Sequence, residues 1–137
     1  MQGDRVKTIP INDLKIYDPS SGLEGLHYDQ YADRFLLINE KNSGQLLQYD
    51  RDWNLVDQAF LGSYPDYAGI SATKDHIWIV SDEGSGIAQY DRKLKLVRLF
   101  DIPVDSPEGI VYDEERDLIY IVSDSTGEMA VFEIEGE

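Results

Sequence analysis

From residue 23 onward the apolar positions fall in short runs rich in β-branched and aromatic residues, separated by Gly, Asp, Asn and Ser. Runs of that length between turn-forming residues predict β-strands. No apolar stripe with helical spacing is sustained anywhere. The clearest stretch is PEGIVYDEERDLIYIVSD, Pro107 to Asp124, which reads as two strands joined by a polar turn. The run Phe35 to Ile38 is continuously apolar, as expected of a strand covered on both faces.

The pattern repeats. Its openings are LEGLHYD from Leu23, YAGISA from Tyr67 and PEGIVYD from Pro107, which place Gly25, Gly69 and Gly109 in register at spacings of 44 and 40 residues. Each opening is followed by an apolar run closing on a small polar residue and an acid: Asn39-Glu40, Ser81-Asp82 and Ser123-Asp124. A glycine-bearing turn and a third run ending in Tyr49-Asp50, Tyr90-Asp91 or Phe132-Glu133 come next. A fourth run follows in the first two copies, Leu55–Leu61 and Leu94–Ile102. Four antiparallel strands, here A to D, recurring at roughly forty residues define the blade of a β-propeller. The fold class is therefore all-β, with three blades in one domain spanning 1–137. Residues 1–22 are a closing strand and connector, 23–66 blade 1, 67–106 blade 2, and 107–137 a blade 3 lacking its outer strand.

The missing outer strand has a counterpart at the other end. Arg5–Ile11 aligns with Leu55–Leu61 and Leu96–Ile102, and each of the three precedes an A strand. Pro10 restricts it to an edge or a strand end. Propellers have about four to eight blades, so three blades leave two apolar flanks bare. Two copies related by a two-fold axis make a six-bladed homodimer in which each N-terminal strand completes the partner's last blade. The alternatives are half of a longer, truncated six-bladed chain and a β-sandwich.

Composition narrows the partners. The chain has 137 residues, 42% of them hydrophobic, and 27 acids against 12 Lys and Arg give a net charge of −15. No basic cluster offers a nucleic-acid face or an attraction to an anionic membrane, and no run approaches the roughly 18 apolar residues of a membrane span. The absence of cysteine excludes disulfides and thiolate metal sites. MQGDRVKTIP has no apolar core, so no signal peptide is expected in this chain, which reads as cytoplasmic as written; a leader removed beforehand would make it periplasmic or extracellular.

LEGLHYD, PEGIVYD, LLINEKNSGQLLQYD, IWIVSDEGSGIAQYD and IYIVSDSTGEMAVFEI resemble the SdiA-regulated family, a bacterial six-bladed propeller group related in pattern to esterase-like phytases and gluconolactonase-type propellers. The resemblance covers roughly residues 21–134. It implies a calcium-binding, often extracytoplasmic propeller. The family usually carries the whole ring in one polypeptide, so the length of this chain is a departure.

In an antiparallel meander strand A begins where strand B ends. Glu24, Ala68 and Glu108 therefore share one face of the disc with Glu40, Asp82 and Asp124. Strand A is innermost, so Glu24 and Glu108 are expected at one tunnel mouth with the B-end acids a step outside. Crowded carboxylates raise one another's pKa, and a hard divalent cation removes the conflict. Calcium suits carboxylates in a roomy site better than magnesium does, and two histidines leave zinc little to bind. The expected metal set is Glu24, Glu108, Asp82, Asp124 and Glu40, with Ca²⁺ as cofactor. A structural reading stands beside it: acids at strand ends also bond their own turns, and Ala68 breaks any strict ring of ligands.

His27 reads as a packed histidine between blades, His76 as an exposed turn residue, Trp53 as a rim residue and Trp78 as core. The A–B turns YDQYADR and YDEERD read as solvated hairpins with Asp caps. No nucleophile elbow, phosphate loop or Ser-His-Asp pattern is present, so no catalytic residue is assigned. The expected function is a non-enzymatic homodimeric binding propeller presenting its acidic mouth to a small molecule or a protein partner. The alternative is a metal-dependent hydrolase of lactonase or phosphoesterase type using the same mouth.

Overall fold

A computed structural model of the chain describes residues 3–4, 6–11, 22–40 and 44–134. They form eleven strands in three antiparallel sheets. Blade 1 is β1 (Leu23–Asp29), β2 (Arg34–Asn39), β3 (Gln45–Tyr49) and β4 (Leu55–Phe60). Blade 2 is β5 (Gly69–Ala72), β6 (His76–Ser81), β7 (Gly86–Asp91) and β8 (Leu96–Asp101). Blade 3 is β9 (Pro107–Asp113), β10 (Leu118–Ser123) and β11 (Met129–Phe132). Every strand pairs with its neighbour in sequence, as in a meander. The chain is a three-bladed segment of a β-propeller.

The inner strands are the A strands: β1 packs against β5, and β5 against β9. The repeated glycines explain how they approach. A Cβ on Gly69 would stand 2.6 Å from the Glu108 carbonyl oxygen and 3.2 Å from Gly109 Cα, and one on Gly25 would stand 3.6 Å from Gly69 Cα. A side chain at Gly69 would push blades 2 and 3 apart.

Alternation along the strands assigns each face. Leu36, Ile38 and Leu46 of blade 1 pack on Ile70, Ile77, Ile79 and Tyr90 of blade 2. The other face of blade 2, with Trp78, Val80 and Ile87, packs on Ile110, Ile119 and Ile121 of blade 3. Trp78 is buried, as expected, and its ring lies 4.8 Å from that of Tyr112. Strands β5 to β7 of the central sheet are buried on both sides, which is why they lack polar alternation. The outer flank of blade 3 is open and exposes Val111, Val122, Met129 and Val131, whereas that of blade 1 is covered at Leu37, Leu47 and Tyr49, where Ile11 packs, and exposes Leu26 at 68%.

The C–D turns of blades 1 and 2 are built alike. The Asp50 carboxylate accepts from the backbone N–H groups of Asp52 and Asn54, and the Asp91 carboxylate from those of Lys93 and Lys95, all within 2.8–2.9 Å. Trp53 and Leu94 take matching left-handed conformations, φ 62° and 63°. Trp53 stacks on Phe35 at 4.6 Å.

Two expectations need correction. Residues 6–11 belong to no sheet of the single chain. Their placement still follows the repeat. Ile11 packs on Leu37, Leu47 and Tyr49 of blade 1, as its equivalents Leu61 and Ile102 pack at the seams between blades 1 and 2 and between blades 2 and 3. Arg5 and the connector 12–21 lie outside the described residues, as do 1–2, the turn residues 41–43 and 135–137. The A–B turns are also not uniformly solvated: Asp29 is buried beneath Arg92, whereas Asp113 caps its turn by accepting from the N–H groups of Glu115 and Arg116.

Candidate functional site

The disc face at the start of the A strands carries the predicted acids. Glu108 opens β9 beside the Gly69–Gly109 contact, and Asp82 follows the end of β6 in the neighbouring blade. The two carboxyl groups are within hydrogen-bonding reach. Burial lifts the Glu108 pKa to about 7; the Asp82 charge and hydrogen bond and the charges of Asp124 and Glu24 add to the rise. Four of the five expected acids therefore share one electrostatic environment. Glu40 is not among the groups acting on Glu108; its blade-2 neighbour at the inner strand is Ala68, whose N–H bonds Val80. Among the described residues, no three His, Asp or Glu side chains gather closely enough to hold a metal ion by themselves.

The turn bonding that could have occupied these acids is done by the serines before them. Ser81 Oγ accepts from the Gly84 N–H at 2.9 Å and donates to Asp66 at 2.6 Å, and Ser123 Oγ accepts from the Thr126 N–H at 3.2 Å. Asp66, which also accepts from the Glu83 N–H at 3.0 Å, was not singled out by the sequence. Its only signal was an acid just before the repeat opening Tyr67-Ala68-Gly69.

The far ends of the A strands line an open cavity of about 610 Å³ bordered by His27, Tyr31, Ser71, Tyr112, Glu114 and Tyr120. Burial lowers the His27 pKa. His27 thus lies at this far end of the A strands, away from the acids, and His76 begins β6 edge-on to Trp78. At this end Arg92, from the C–D turn of blade 2, donates to Asp29 of blade 1, to Lys74 O at 3.1 Å and to Thr73 O, clamping two blades. Tyr31 of blade 1 donates to Glu114 of blade 3 at 2.6 Å, and Glu114 accepts from the Lys74 N–H of blade 2 at 3.1 Å. The sequence signal for the clamp was the twice-repeated QYDR.

The sequence model of the SdiA-regulated family matches residues 4–127. No curated protein sequence matches the chain. Solved structures similar to it include hydrazine synthase of Kuenenia stuttgartiensis (TM-score 0.68, 11% identity, 90% of this chain and 36% of that one). Others are a nidogen/laminin complex (0.67, 15%, 85% and 45%) and a luciferin-regenerating enzyme (0.65, 16%, 84% and 46%). The likeness at these identities is one of fold, and the chain spans less than half the length of each of the three.

Proposed function

The chain belongs to the SdiA-regulated family of β-propellers, and from that premise we propose that two copies close a six-bladed ring whose acidic mouth binds a divalent cation and presents it to a small molecule or partner. The observation that carries the reading is the Asp82–Glu108 pair. Two carboxyl groups in contact, one with its pKa raised to about 7, need either a shared proton or a cation between them. Their donors are all oxygen, which fits Ca²⁺. Asp82 and Glu108 would hold it, and one chain alone offers too few close carboxylates. Ring closure adds more: the position of Asp82 in the repeat is filled by Asp124 in blade 3, and that of Glu108 by Glu24 in blade 1. An Asp124–Glu24 pair would then form across each joint between copies. A bound cation supplies a fixed positive charge for anionic or oxygen-rich ligands.

A second reading has one observation in its favour. A carboxyl with a pKa near 7 is matched to proton transfer at neutral pH, so Glu108 could serve a metal-dependent hydrolase acting on lactones or phosphoesters. The two readings separate by titration of calcium into the chelated protein, followed by assay of both ester classes. Calcium uptake without hydrolysis supports the binding reading. Hydrolysis that EDTA and Glu108→Gln both abolish supports the second. Absence of calcium uptake contradicts both.

A further inference from the structure

The seam between blades 1 and 2 carries an arginine–aspartate clamp, the seam between blades 2 and 3 an aromatic pair and an acid pair, and the repeat places halves of all three on the two outer flanks. At the seam between blades 2 and 3, Trp78 faces Tyr112 and Asp82 meets Glu108. The repeat places Tyr120 where Trp78 stands and Tyr28 where Tyr112 stands. Tyr120 lies on the open flank of blade 3, between Val111 and Val131. Tyr28 lies on the outer flank of blade 1, opposite Phe35.

The third contact is the most specific. Arg92 follows Tyr90, which faces blade 1, and it reaches back to Asp29 at the end of the blade 1 inner strand. Arg92 is 27% exposed and Asp29 1%. Arg51 occupies the superposable turn of blade 1, after Tyr49, which is buried on the outer flank where Ile11 packs. Having no blade behind it, Arg51 turns onto its own blade: it bonds Asp33 at 2.6 Å, lies over the Tyr28 ring and is 67% exposed. The equivalent of Asp29 in blade 3 is Asp113, on the same sheet face as Val111 and opposite Leu118. Asp113 accepts from the Glu115 and Arg116 N–H groups of its own turn, and its ion pair is with Arg116, itself 65% exposed.

We propose that the blade 1 flank of one copy seats on the blade 3 flank of a second copy, and that Arg51 of one and Asp113 of the other form the latch that sets their register. The occupant is a second copy because the two flanks of this chain match each other position for position: arginine to aspartate, Tyr28 to Tyr120, and the exposed valines of blade 3 to the exposed Leu26 of blade 1 and to Ile11, which covers Leu37 and Leu47 beside it. This inference rests on the ring proposed above and names its joint. A two-fold ring has two such joints, so each chain gives one Arg51 and one Asp113.

That arithmetic supplies the test. Arg51→Glu alone sets two carboxylates against each other at both joints, and Asp113→Arg alone sets two guanidinium groups against each other. A one-to-one mixture of the two variants restores both joints, one native and one swapped. Sedimentation velocity should show the unaltered chain as a dimer, each variant dissociating at concentrations at least about tenfold higher than the unaltered chain, and the mixture recovering the dimer. Far-UV circular dichroism checks that each variant is folded, and Arg51→Gln, which loses the latch without repulsion, should weaken the dimer less. Variants that dimerise like the unaltered chain overturn the latch while leaving the ring standing. So does a mixture no better than its parts. An unaltered chain that stays single at every concentration overturns the ring and the latch together.

Discussion

The carboxyl groups of Asp82 and Glu108 share a hydrogen bond across the seam between blades 2 and 3. The Asp82 carbonyl closes the turn by accepting from the Ser85 N–H at 3.1 Å, while Ser81 Oγ supplies the side-chain bond to the Gly84 N–H, which leaves the Asp82 carboxyl for Glu108. Burial raises the Glu108 pKa, and the neighbouring Asp82 charge and hydrogen bond raise it further, so the pair favours a shared proton.

The pH dependence follows with a definite sign. The folded-state pKa of Glu108, about 7, lies above its ordinary value of 4.5. Its contribution to stability is therefore fully present below about pH 4.5 and is lost as pH rises through about 7. His27, lowered by burial, acts in the opposite sense as pH falls below its ordinary 6.5. The difference between the unaltered protein and Glu108→Gln isolates the carboxyl. In metal-free buffer at pH 8 the variant should be more stable by about 1 kcal/mol, since solvent screens a partly exposed group. Urea melts at pH 4.5 and pH 8 measure it, and equal differences at both would remove the shared proton.

Calcium should raise the melting temperature at pH 8, by linkage to the folded state: about 2.7 kcal/mol at a hundred times the dissociation constant. Asp82→Asn combined with Glu108→Gln should abolish the rise. A rise unchanged in that double variant would place the cation elsewhere.

Gly69→Ala should be among the most damaging single changes, at about 2 kcal/mol or more, because the new Cβ meets the Glu108 carbonyl oxygen at 2.6 Å. The same change at Gly127, where nothing lies within 4 Å but φ is +69°, should cost about 1 kcal/mol from backbone strain alone. Thermal melts of the two compare the causes.

Deleting residues 1–11 should convert the dimer to single chains. Ile11 packs on Leu37, Leu47 and Tyr49, and the aligned Leu61 and Ile102 close the neighbouring seams. A truncated protein that still sediments at twice its chain mass would refute the closing role of the segment.

The strands were legible because local chemistry specifies them. The YD and SD endings sit at strand termini, and the continuous run Phe35–Ile38 lies where β2 is covered on both sides. The glycine register was legible too, although only the packed blades reveal its cause in the near-contact of inner strands. That Glu24, Glu108, Asp82 and Asp124 share one end of the strands was legible, because an antiparallel meander leaves no choice of end. The burial of Asp29 was not legible: its partner Arg92 is 63 residues away and reaches it only once two blades pack. Asp66 escaped for the same reason, since its partners Ser81 and Glu83 belong to a strand end 15 to 17 residues on. Residues 6–11 carry a strand-like alternation yet join no sheet, since alternation marks a segment able to pair but does not supply the edge it pairs with.

The account depends most on ring closure, and the direct measurement is the mass of the untagged 137-residue chain by sedimentation equilibrium in calcium-containing buffer. Two copies closing a ring predict twice the 15.6 kDa chain mass. A compact species of a single chain mass at every concentration would contradict it.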